Sequence, residues 1–155
     1  MYERHDQAPD GSLHPPEQRN SFGVDRTMAA STDEIFDAWA NHFDTWFASP
    51  NEISMSAEPG APYWFDDHHQ GEHYAHYGRC LRVEAGRLIE QTWVTGRNGT
   101  DGAETVVRVE LVPLTSGTEL RLTHSGFYDE ESANRRRASW PQILEHLDSV
   151  LTSDA

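Results

Sequence analysis

The stretch GRCLRVEAGRLIEQTW, residues 78–93, reads as a strand, a tight turn and a second strand. The turn is Glu84-Ala85-Gly86, a composition suited to chain reversal. On the second arm Ile89, Gln91 and Trp93 share one face and Glu90 takes the other, because successive strand side chains alternate. A hairpin with an apolar face needs neighbours to cover it. Strand-like pieces bounded by Gly, Pro, Asn and Asp fall at 53–57, 63–67, 72–83, 87–95, 104–113 and 118–127. The joints at 96–102, which hold Asn98-Gly99, and at Thr115-Ser116-Gly117 are turn-like. Val107, Val109 and Leu111 oppose Arg108 and Glu110, while Leu120 and Leu122 oppose Glu119 and Arg121. This alternation predicts an antiparallel sheet, wet on one face and covered on the other.

The cover is the C-terminal segment, where Trp140, Ile143, Leu144, Leu147, Val150 and Leu151 recur at helical spacing. Pro141 belongs in a first helical turn, and Ser139 with Gln142 forms a capping box that puts it there. The main helix is therefore expected to start near Trp140, with 129–137 a separate short helix or kinked prelude. At the other end FGVDRTMAA, residues 22–30, reads as a first strand. Ser31 and Glu34 then form a capping box, and Ile35, Phe36, Trp39 and Phe43 make one stripe, predicting a helix over 32–40. Residues 44–48, with Trp46 and Phe47, predict a second short helical turn closed by Pro50. Residues 1–20, with three prolines and no apolar period, read as a disordered extension, leaving 21–155 as one domain.

Twenty-six acidic against twelve basic residues give a formal charge of −14, which repels phosphates and anionic lipid headgroups and argues against nucleic-acid or membrane partners. Every basic residue is arginine. The single cysteine, Cys80, allows no intrachain disulfide, and the start MYERHDQAPDG lacks a basic-then-apolar leader. A cytoplasmic protein is the expectation.

The order of strand, two helices, antiparallel strands and long final helix resembles the START-like (SRPBCC) superfamily. The resemblance rests on residues 78–93, on GTELRLTHSGF at 117–127 and on the acidic patch before SWPQILEHL at 139–147. The last two are similar to the branch named after the activator of the heat-shock-protein ATPase, which usually has Gly where this chain has Ser139. What the resemblance implies is an α+β helix-grip fold, a curved antiparallel sheet gripping the final helix, with a cavity between them for an apolar or amphipathic small molecule. It places Trp46, Trp64 and Tyr77 at the cavity mouth.

Phe47 and Trp140 join these as candidate ligand contacts, although aromatic residues at structural periods also serve as plain core. His124 follows Leu120 and Leu122 on the inward face, where it either meets a ligand or proton, or is tied to a neighbour. Gln91 is the inward amide, able to orient a polar head or to satisfy an adjoining strand group. DDHHQGEHYAH, residues 66–76, offers seven potential metal ligands. Its strand spacing turns His73 and His76 to opposite faces, and 66–69 is expected in a solvated turn, so no metal is assigned. Cys80, with Arg79 and Arg82 beside it to lower its pKa, is read as a packed thiol. No catalytic motif and no cofactor fingerprint is present. The leading reading is a non-catalytic module for a small hydrophobic or aromatic ligand. The alternatives are a co-chaperone-like interaction domain and a cyclase or hydrolase using His124.

Overall fold

The computed structural model describes residues 20–69, 71–96, 100 and 102–153. All but the last residue of the expected N-terminal extension, and the Asn98-Gly99 turn, lie outside them. Seven strands form one antiparallel sheet: β1 (Phe22–Met28), β2 (Ile53–Ser54), β3 (Pro62–His69), β4 (Glu72–Glu84), β5 (Leu88–Trp93), β6 (Thr105–Pro113) and β7 (Thr118–Ser125). Their spatial order is β1-β7-β6-β5-β4-β3-β2, so β1 crosses over to pair with the last strand. Helix α1 (Thr32–Asn41), a single 3-10 turn (Phe43–Thr45) and the long helix α2 (Glu130–Thr152) cover the apolar face. This is the helix-grip architecture.

The local signals explain most boundaries. Ser31 Oγ accepts from the Glu34 amide and the Glu34 carboxylate accepts from the Ser31 amide, so the capping box starts α1 as expected. Inward residues of β6 and β7, Val107, Val109, Leu111, Leu120 and Leu122, are all buried, as the alternation requires. Two glycines are obligatory. A Cβ on Gly78 would lie 2.4 Å from the Thr92 carbonyl oxygen, where β4 presses on β5. One on Gly117, at φ +89°, would lie 2.2 Å from the Met28 carbonyl oxygen.

Helix α2 departs from expectation. It is one continuous helix from Glu130, capped by Asp129, whose carboxylate accepts from the Ser132 amide at 2.9 Å. Ser139 does not cap; its hydroxyl donates to the Arg135 carbonyl at 3.0 Å from within the helix. Pro141 therefore sits mid-helix, forfeiting one backbone bond. Burial of Trp140, Leu144 and Leu147, each 0% exposed, outweighs that cost by holding both sides of the proline on the sheet. Asp148, on the same helix, is also buried. Its carboxylate accepts from the Ala29 and Ala30 amides at 3.0 to 3.1 Å, pinning α2 to the β1–α1 joint.

Candidate functional site

The space between sheet and α2 is lined and filled by aromatic rings. Trp140 stacks on Trp39 at 6.0 Å and meets Trp93 edge-on at 5.7 Å, while Phe43 meets Phe65 at 4.9 Å and Trp46 at 4.7 Å. A small apolar cavity of about 10 Å³ remains beside them, bordered by Trp39, Met55, Tyr63, Cys80, Ile89 and Gln91. That is near the volume one water occupies. A ligand of drug size enters only if rings move.

Most predicted site residues lie in this interior as bonded core groups. Trp46 is 6% exposed and its indole donates to the Ala38 carbonyl at 3.0 Å, so it closes the end of α1 and does not stand at an open mouth. Gln91 faces inward as expected, and its amide oxygen accepts from the Trp39 indole at 2.8 Å. His124 is buried completely. Its Nδ1 accepts from the Trp140 indole at 3.1 Å, so Nε2 carries the proton and donates to Thr105 Oγ1 at 2.8 Å. Thr105 in turn donates to the Trp93 carbonyl at 2.6 Å. Burial, seconded by the positive charge of Arg136, holds the His124 pKa well below its ordinary 6.5. Both its nitrogens are occupied and neither is offered to a substrate. Of the expected contacts only Phe47 lies at the rim, half-buried in the segment after the 3-10 turn.

Trp64 and Tyr77 do not stand at a cavity mouth. They pair across β3 and β4 on the outer face, 44% and 51% exposed, because Phe65 and His76 take the inward positions. Neither borders the interior. Cys80 is buried, and desolvation raises its pKa despite the flanking arginines, whose charged heads stay in solvent. The Tyr63 hydroxyl donates to the Thr92 carbonyl, and burial pushes its pKa up.

Residues 66–69 continue β3 and do not form the expected turn, since β3 and β4 pair as far as His69 and Glu72. Side chains 67–69 lie outside the described residues. On the outer face Asp66 and His73 meet at 3.1 Å, and Glu52, unflagged in sequence, brings its carboxylate within 4.8 Å of both. The Asp66 amide, donating to the Glu52 carbonyl at 2.9 Å, brings these two segments together.

His76 and Trp93 were legible only as metal candidate and core. His76 is 4% exposed, and among the described residues neither its ring nitrogens nor the buried Trp93 indole N–H has a hydrogen-bond partner. Burial first, and the Arg136 charge second, lower the His76 pKa to about 3. The imidazole is neutral and stacks on Phe65 at 4.5 Å. A histidine between Ala75 and Tyr77, in a His-rich stretch, carries no sequence signal of this isolation.

Residues 29–152 match the family described as Activator of Hsp90 ATPase homolog 1-like protein. No curated protein matches the chain. Among solved structures, protein CV1439 from Chromobacterium violaceum is similar with TM-score 0.73 at 20% identity, over 87% of this chain and 99% of that one. Protein MLL2253 from Mesorhizobium loti gives TM-score 0.71 at 21% identity, over 87% and 98%. DynU16, from the dynemicin biosynthetic locus, gives 0.72 at 19% identity, over 86% of this chain and 48% of that one. At these identities the likeness establishes the fold alone.

Proposed function

The chain belongs to the Activator of Hsp90 ATPase homolog 1-like protein family of the START-like superfamily, and on that premise we propose that it binds a small hydrophobic or aromatic molecule between sheet and α2, without catalysing a reaction. One observation carries the reading. The space between the two layers is walled by rings of Trp39, Phe43, Phe47, Trp93 and Trp140, and its outermost ring, Phe47, is only half-buried. Flat rings exchange readily for a flat ligand of similar volume. The bonding of His124 argues against its use as acid or base. No helix among the described residues is long and apolar enough to cross a membrane, and the net charge of −14 suits neither nucleic acid nor anionic lipid.

Native mass spectrometry of freshly purified protein tests the reading by seeking a retained small molecule, with titration of a hydrophobic fluorescent probe beside it. Retention, or binding at about one site, is expected. Absence of both, with no library compound raising the melting temperature, overturns it.

A second reading has its own observation. Trp64 and Tyr77 form an exposed aromatic pair on the outer face, the kind of anchor that protein partners use, and the family's name points to a chaperone ATPase. Stimulation of an Hsp90-type ATPase that is lost in Trp64→Ala would favour this reading.

A further inference from the structure

His76 and Trp93 are the two neutral buried residues whose polar atoms find no partner among the described residues, and their rings meet edge-on at 5.5 Å. A buried polar group left unbonded costs about 1–3 kcal/mol, so native interiors keep few of them and each asks for a reason. The two lie together, on adjoining strands β4 and β5, facing α2. Next to them the Arg136 guanidinium lies 5.6 Å over the Trp140 ring, and its charge is felt at His76. Two unbonded polar rings therefore lie side by side, with a cation on the neighbouring Trp140 ring.

Phe47 covers that place. Its ring is 5.8 Å from His76, 5.5 Å from Trp93 and 6.1 Å from Trp140, and it alone of the four is partly open to solvent. It stands on the segment between the 3-10 turn and β2, a connection that reverses through Asn51 at φ +66°. Swinging this ring outward would vacate the volume of one phenyl group beside the two unbonded residues.

Resting on the ligand-binding reading above, we propose that Phe47 is a plug occupying the place of the ligand's own ring. The ligand is then an aromatic carboxylate, whose oxygens accept from the His76 and Trp93 N–H groups under the charge of Arg136. A carboxylate fits because it is acceptor-only, has two oxygens for two donors, and is offset by the guanidinium. A plain hydrocarbon would regain the ring contacts and leave both donors unmet. A ring-for-ring exchange conserves volume, which a packed core tolerates best.

Benzoate and toluene, which share a ring and differ in the head group, test the proposal on the full chain. Titrations are followed by the indole N–H resonances in NMR. In Phe47→Ala, benzoate is expected to bind at least about tenfold tighter than toluene and to shift the Trp93 indole signal, the worth of a charge-assisted hydrogen bond. Adding His76→Leu should cut that preference by at least about threefold, since only the Trp93 donor remains, while leaving toluene affinity within about threefold. Equal affinities, a benzoate preference undiminished in His76→Leu, or an unmoved Trp93 signal would each overturn it. Should Phe47→Ala fail to fold, Phe47→Leu and the wild type carry the same comparison. A wild type that takes up the fluorescent probe, with a Phe47 variant that does not distinguish benzoate from toluene, sinks the carboxylate inference alone. A protein that binds none of the three in any form sinks both readings.

Discussion

Two buried histidines face the same interior and are treated in opposite ways. His124, on β7, has both nitrogens bonded, to Thr105 and to the Trp140 indole, and continues through Thr105 into the backbone of β5. His76, on β4, has neither nitrogen bonded among the described residues and leans on aromatic faces. The difference follows the architecture. Beside His124 the sheet runs through β5, β6, β7 and β1, and α2 is tied across it by Leu144, Leu147 and the Asp148 carboxylate. Beside His76 the sheet ends in the two-residue β2, and the cover is a short turn bearing Phe47. The first half is a finished core. The second carries unmet polar groups under a thin lid, which is where a binding site can sit without dismantling the fold.

The largest test of this contrast is Leu147→Ala, in the finished half. It should cost about 2–5 kcal/mol in chemical denaturation, since α2 cannot collapse onto the sheet around the lost side chain. A change under about 0.5 kcal/mol would mean the helix is not what seals that half. His124→Leu should come next, at about 2–3 kcal/mol, because it strands the Trp140 indole and strips Thr105 of a partner.

Acid titration bears on both histidines together. Each is neutral when folded and protonates near 6.5 when unfolded, so the unfolded state binds more protons below that pH. Stability is complete above about pH 6.5 and falls as pH drops, for His76 down to about 3, by ~1.4 kcal/mol per pH unit per histidine in mid-window. Unfolding free energies measured from pH 7 to 4 should show this slope, and each His→Leu variant should lose one histidine's share of it. A slope unchanged in His76→Leu would place that ring in water.

Smaller still, and opposite in sign to His124→Leu, His76→Leu should leave stability within about 1 kcal/mol of wild type, toward greater stability, because it removes unbonded polar atoms from an apolar site. A loss as large as that of His124→Leu would show that the two halves do not differ. The smallest effect belongs to Trp64→Ala on the outer face, within about 0.5 kcal/mol and without consequence for probe binding. Weakened binding in that variant would return Trp64 to the site.

Much of the fold was readable because its signals are local. Alternation in β6 and β7, the Ser31–Glu34 capping box and the stripe from Trp140 to Leu151 each specify an element without reference to anything distant. The site was less legible. Gln91 and His124 were placed on the inner face by parity, yet parity does not say whether an inward polar group finds a partner there. Trp64 and Tyr77 were misplaced because a family likeness locates a segment but not which of two adjacent aromatic residues, 64 or 65, turns inward.

The order of elements, the two-sided sheet, the covering helix and the acidic surface were determined by the sequence itself, through periodicities of two and 3.6 residues and a count of charges. Tertiary packing alone decided that α2 runs unbroken through Pro141, that Asp148 turns inward to two backbone amides, and that His124 is bonded while His76 is not. The physical reason is common to all three. Each balances a local cost against contacts made by residues roughly 16 to 119 positions away, and no window of sequence contains both sides of that balance.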